Sequence, residues 1–175
     1  MPTFVAIDFE TANYRSDSAC AIGLVVVKGS RIVKREHHLI RPPDRQFAFT
    51  HIHGLTWEDV REAPTFAGLW PGLRETIAEA DFLAAHNASF DRRVMESCCR
   101  TYGLARPTQA FVCTVNVART VWRLFPTKLP DVCRHLRIPL DHHQADSDAE
   151  ACARIVIAAR KTGWQALGRC AASRD

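Results

Sequence analysis

The stretch Phe4 to Asn13, FVAIDFETAN, constrains this chain more than any other. Phe4 to Ile7 reads as a buried β-strand, and it runs straight into Asp8 and Glu10, with one aromatic, Phe9, between them. A carboxylate taken out of water is costly unless it is paired, hydrogen-bonded or bound to a metal. Along an extended chain residues i and i+2 share a face. Asp8 and Glu10 therefore project together from the end of a core strand, and whatever the chain folds into must compensate that face.

The following residues supply more strands. CAIGLVVVKG and SRIVKREHHLI are rich in Val and Ile and are separated by Lys28-Gly29-Ser30, which predicts a β-meander over the first forty residues. RPPDRQ is a loop by its prolines. Thr56 with Asp59 resembles a capping box opening a short helix, TWEDVREA. Thr65 is placed to cap a helix whose Phe66, Leu69, Leu73 and Ile77 recur at helical spacing. DFLAAH predicts a short strand, and SFDRRVMESCCRTYG a helix with Ser89 as its N-cap. FVCT predicts another strand, VNVARTVWRLF and LPDVCRHLRI two helices, and residues 147–160 a last one. Strands first and then strands alternating with helices indicate an α/β fold: a mixed central sheet, antiparallel meander plus parallel strands, flanked by helices. A length of 175 residues suits one domain, expected over 1–162, with a tail or short helix over 163–175.

Composition narrows the function classes. No apolar run approaches the ~20 residues of a membrane span, and the N-terminus has neither a basic start nor a cleavable apolar segment. The expectation is a cytoplasmic protein without a membrane partner. The seven cysteines are scattered with no C-x-x-C pair, which favours reduced thiols over a zinc site or a disulfide framework. Net charge is only +4, but nine Lys or Arg lie between Arg92 and Arg137 against Glu96 and Asp131 alone. Such a stretch suits either a solvated helix face or a polyanion such as nucleic acid.

Two further acids open helices: Asp91 in HNASFD and Asp148 in HQADSD. Helix N-termini favour carboxylates, so each alone has a structural explanation. Together the chain carries D-x-E on its first strand, H-N-x-x-F-D opening a middle helix and H-x4-D opening a late one, with His143 and Asp148 satisfying the last spacing. His142 would place Ser147 at the acid position and fails that register, and Asp146 has no matching histidine.

These ordered blocks resemble the DEDDh 3′→5′ exonucleases, DnaQ-like proteins of the ribonuclease H-like fold. HGLTWEDVREAPTF and FVCTVNVART add a likeness to the proofreading epsilon subunit of bacterial DNA polymerase III. The resemblance implies a nuclease hydrolysing phosphodiester bonds from the 3′ end of single-stranded nucleic acid, DNA favoured over RNA, releasing 5′-mononucleotides. It implies two divalent ions, Mg²⁺ or Mn²⁺, whose preference for hard oxygen ligands suits a carboxylate cluster. Asp8 would bridge both ions, Glu10 and Asp148 would hold the nucleophile-side ion, and Asp91 would act mainly through water. His143 would be the general base. Substrate-binding roles fall to Phe9 and Phe90 as stacking rings, to the backbone near Thr11 and Ala12 for the 3′-hydroxyl, and to His53 and Asn87. The alternatives are an exoribonuclease acting on RNA or small oligonucleotides, and a non-catalytic nucleic-acid-binding partner of a polymerase. The chain ends soon after its last helix, which favours a free-standing exonuclease or a fragment of a longer one. Such proteins often form homodimers, and the sequence leaves this open.

Overall fold

The computed structural model describes residues 2–166. Five strands form one mixed sheet in the order β3-β2-β1-β4-β5: β1 Thr3–Thr11, β2 Ala19–Lys28, β3 Arg31–Leu39, β4 Phe82–Ala85 and β5 Ala110–Cys113. The first three are antiparallel, as the meander requires, and β4 and β5 join parallel to β1. Gly29 closes the β2–β3 turn with φ 65°, a left-handed value that costs glycine little.

Alternation along β1 sorts its side chains into two cores. Val5, Ile7 and Phe9 face a cluster built on α3 (Phe66–Ala78) and α4 (Ala88–Thr101). Phe4 and Ala6 face α7 (Ala145–Lys161), which contributes Ala149, Cys152, Ala153 and Val156. Small residues let α7 lie close to the sheet. The tightest approach is at Gly23 of β2, where any Cβ would sit 2.1 Å from the Ala145 carbonyl oxygen. Gly23 pairs with Asp8 in the β1–β2 register, so this contact sets the first turn of α7 beside the acidic end of β1.

β1 outlasts its parallel partner. Pairing with β4 runs only from Phe4 to Ala6, so the carboxyl-terminal half of β1 overhangs with that edge free of strand partners. The site forms on this overhang.

Several boundaries differ from the sequence reading. Thr65 caps α3 as expected, its side chain accepting from Gly68 N–H. The Thr56–Asp59 capping box is present, but α2 spans only Trp57–Val60. A one-turn helix, α1 Thr50–His53, was not anticipated; it carries no helical periodicity to read. The N-cap of α4 is Asn87 instead of Ser89. Asn87 takes a left-handed turn (φ 64°), a conformation that asparagine tolerates, and Ser89 Oγ bonds back to its Oδ1 at 3.2 Å. Between β5 and α7 lie α5 (Thr114–Trp122) and α6 (Leu129–Leu136). After α7 the chain folds back so that Trp164 packs on both the α7 face and the α5–α6 cluster. The rest of the tail expected over 163–175 falls, from residue 167 on, outside the described residues. No helix among the described residues is long and apolar enough to cross a membrane.

Candidate active site

Asp8 and Glu10 leave the overhang of β1 on the α7 side, as their i, i+2 spacing requires. Asp148 meets them from the first turn of α7, and one oxygen of each of the three lies within 4.8 Å of the others. Asp91, in the first turn of α4, fills the edge that β4 leaves open. Its Oδ1 accepts the Phe9 N–H at 3.0 Å, the bond a longer β4 would otherwise have made.

Crowding and burial raise the proton affinity of the whole group. Asp8 is pushed well above the carboxylate range, first by burial and then by Asp91, Asp148 and Glu10. Burial, Asp148 and Asp91 push Glu10 up to about 8. Burial raises Asp91 to about 7 against the stabilising Phe9 N–H. Burial also raises Asp148, with His142 and His143 opposing it. Two carboxylate oxygens, Asp91 Oδ2 and Asp148 Oδ1, are buried with no hydrogen-bond partner among the described residues. Native structures rarely leave such atoms unsatisfied. An all-oxygen donor set with two orphaned anionic atoms fits hard divalent cations.

The loop before α7 brings both histidines to Asp148. His143 donates its backbone N–H to Asp148 Oδ2 at 3.1 Å and keeps its ring available to the cleft. His142 Nδ1 bonds the same oxygen at 3.0 Å. A regular chain would send adjacent side chains apart; the left-handed φ of 70° at His143 breaks that rule, and the rings stack at 3.8 Å. Burial, then His142, lowers the His143 pKa from the ordinary histidine value, against the pull of Asp148. Register alone dismissed His142, because the H-x4-D spacing carries no information about a φ reversal.

The remaining predicted residues separate into several environments. Asn87 is exposed on the lip of the cleft, and Phe90 is half-buried, one part on the α3–α4 core and one part lining the cleft. Phe9 is corrected: its ring is 3% exposed and packs beside Phe66 at 6.4 Å, so the pleat turns it into the core and no face is left for a base. Ala12 is corrected as well. It is fully buried, its N–H donates to the Ser18 carbonyl at 2.8 Å, and its own carbonyl accepts from Ala48 and Phe49. Thr11 lines the cleft, but its carbonyl is engaged by His53 Nε2 at 3.1 Å. His53 Nδ1 in turn accepts the Leu55 N–H at 3.1 Å. Both ring nitrogens of this buried histidine are thus engaged, Nε2 holding α1 onto β1 and Nδ1 closing the turn that follows α1. Burial lowers its pKa, in keeping with a neutral ring.

All these elements open on a cleft of about 1040 Å³. Of the nine basic residues between Arg92 and Arg137, Arg119 and Lys128 line it. Arg92 and Arg106 share Glu96, and Arg134 pairs with Asp131. The sequence reading also passed over His86. Its Nε2 donates to the Thr127 carbonyl at 2.9 Å, and its Nδ1 meets the Thr114 hydroxyl at 2.8 Å.

Carboxylates from β1, α4 and α7 are thus gathered at one end of a mixed sheet. The chain belongs to the exonuclease family, RNase_T, whose pattern matches residues 5–156. Among known proteins it is similar to DNA polymerase III PolC-type of Oceanobacillus iheyensis, 31% identical over 154 residues, which are 85% of this chain and 11% of that protein. The PolC-type polymerase of Thermotoga maritima is 28% identical over 160 residues, 89% of this chain. The chain therefore spans only about an eighth of these relatives, 12% in the second case. Among solved structures, exonuclease X in complex with 5′-overhanging duplex DNA superposes with a TM-score of 0.72 at 25% identity, covering 93% of this chain and 94% of that one. The nuclease domain of 3′hExo, a DEDDh family member bound to rAMP, shares the fold at a TM-score of 0.80 and 17% identity, covering 92% of each chain.

Proposed function

We propose that this chain is a metal-dependent 3′→5′ exonuclease that releases 5′-mononucleotides from single-stranded nucleic acid, with DNA preferred. The observation that carries the reading is the pair of buried, partnerless carboxylate oxygens at the focus of Asp8, Glu10, Asp91 and Asp148. The similarity to DNA polymerases and to a DNA-bound exonuclease supports DNA as the polymer. The shared fold of an rAMP-bound nuclease keeps RNA as the second reading.

Asp8, Glu10 and Asp148, with Asp91 mainly through water, would hold two divalent cations, Mg²⁺ or Mn²⁺. When bound, the cations supply the positive charge that the attacking and leaving oxygens of a phosphodiester require. Asp91 fixes the Phe9 backbone and so the pitch of the strand between Asp8 and Glu10. His143 takes the proton from the attacking water, as a neutral imidazole is suited to do near neutral pH. His142 and the His143 amide orient Asp148 from the other side. Asn87 and Phe90 lie at the cleft to meet the terminal nucleotide.

The test is incubation with Mg²⁺ or Mn²⁺ and end-labelled single strands of DNA and RNA, beside an Asp8→Ala control. Stepwise loss of mononucleotides from the 3′ end supports the reading. No metal-dependent shortening of any strand, or equal activity in Asp8→Ala, overturns it.

A further inference from the structure

The roles above leave one part of the cleft unused: the end of α5 and the segment leading into α6. Arg119 and Lys128 both line the cleft there, and both are exposed. Neither forms an ion pair among the described residues, whereas the nearby Arg92, Arg106 and Arg134 all do. Between them in sequence stands Phe125, 88% exposed and also on the cleft. The same part of the cleft thus presents an exposed aromatic ring together with two cations that pair with no acid among the described residues.

The segment is also held in place. Arg119 Nε donates to Thr127 Oγ1 at 3.2 Å, which leaves both terminal NH₂ groups of the guanidinium without a partner among the described residues. The Thr127 carbonyl is in turn clasped by His86 Nε2 from the segment that opens α4. Because a carbonyl only accepts, His86 carries its proton on Nε2. Burial lowers its pKa, so its Nδ1 is left to accept from Thr114. Two elements that each contribute to the cleft are thus tied by one imidazole.

Within one cleft, then, a carboxylate cluster calls for cations and a separate pair of cations calls for an anion. A small phosphate ester would occupy the first alone; a polymer has its next phosphate to offer to the second. We infer that Arg119, Lys128 and Phe125 form a subsite for the nucleotide on the 5′ side of the one removed. The two cations take its phosphate and the ring takes its base, a contact that tolerates any base. This inference rests on the exonuclease reading and says which part of the chain grips the strand behind the reacting end.

Its test is binding of a fluorescein-labelled oligothymidine strand in EDTA, followed by anisotropy across a potassium chloride series. Each phosphate contact to a single strand contributes a slope of about −0.7 in log affinity against log salt. Arg119→Ala and Lys128→Ala should each flatten the slope by about 0.7, and the double variant should weaken binding about tenfold or more at low salt. Arg119→Lys and Lys128→Arg should restore the slope. Phe125→Ala should weaken binding at an unchanged slope. Arg100→Ala, an exposed cation away from the cleft, is the control. A slope in Arg119→Ala and Lys128→Ala no flatter than in Arg100→Ala overturns the subsite. Failure of the exonuclease reading appears elsewhere, as absence of Mg²⁺-dependent shortening, and leaves the slope readable.

Discussion

The two ends of β1 solve the same problem in opposite ways. At the amino end, Arg160 of α7 lies over the rings of Phe4 and Phe82, 4.8 and 5.4 Å from their centroids, and donates to the Gly29 carbonyl at 2.9 Å. The two rings are themselves stacked at 5.1 Å. That half-buried charge is compensated by the chain alone. At the carboxyl end, two backbone N–H groups and one imidazole serve only two of the oxygens of four carboxylates, and two of the remaining oxygens are sealed from solvent with no partner among the described residues. One helix, α7, serves both ends. The first end is complete as folded and only holds the helix down; the second is complete only with cations. Unsatisfied polarity here marks chemistry, because the same fold satisfies its charge where chemistry is not needed.

Asp8→Asn should separate the ends most sharply. Losing even an outer-shell partner of a metal site costs about 10–100-fold, so loss of this ligand should lower strand shortening by more than about 100-fold. In EDTA near neutral pH the same variant should melt at a higher temperature than the native chain, since burying Asp8 there requires it to take up a proton that an amide does not need. Lower activity with lower metal-free stability would contradict the picture of a repulsive cluster.

Next in size is the pH dependence of the metal-free protein. Glu10 and Asp91 have folded pKa values raised to about 8 and about 7, above those of an unfolded chain. The folded state therefore holds extra protons, and the stability these two groups contribute is fully present below the ordinary carboxylate pKa of about 4. It should fall as pH rises toward about 8. Thermal melts in EDTA should show that decline, and saturating Mg²⁺ should largely remove it. A metal-free stability that rises between pH 5 and 8 would count against the raised values.

Gly23→Ala attacks the placement of α7. A new Cβ at 2.1 Å from the Ala145 carbonyl must push the first turn of the helix away from β2. Overpacking of this kind costs roughly 1–3 kcal/mol, and Asp148 moves with the turn, so activity per folded molecule should fall too. The smallest effect belongs to the other end. Arg160→Met should cost about 1 kcal/mol in a melt, the size of a partly exposed cation–π contact, with activity per folded molecule retained. Activity lost in Arg160→Met but kept in Gly23→Ala would reverse the assignment of the two ends.

Most of the sheet could be read in advance. The alternation of Phe4 to Ile7, the Val-rich second strand and the Thr65 cap are local signals. So is the i, i+2 spacing of Asp8 and Glu10, and the structure brings Asp148 and His143 to them. What escaped depends on backbone geometry or on distant partners. Ser89 looked like a cap because nothing local reveals that Asn87 turns left-handed. Phe9 was given a stacking role by the family resemblance, yet the regular pleat of β1 decides its face. His142 was set aside on spacing that a positive φ overrides. Gly23 looked like any residue of a β-rich run, and its meaning appears only when α7, more than a hundred residues later, lies against it. His86 and Arg119 were visible as a histidine and as one basic residue among many; only the third dimension joins them through Thr127.

The order of the chain adds a consequence of α7's position. Asp8 and Glu10 precede Asp91 in the chain by some eighty residues, and Asp148 comes only with α7, just after both histidines. A nascent chain thus carries three of the four acids, until α7 is made, without the group that completes the cluster. Completion of the cluster is tied to the docking of α7 on β1 and β2, so a chain that has not yet placed this helix holds no finished site.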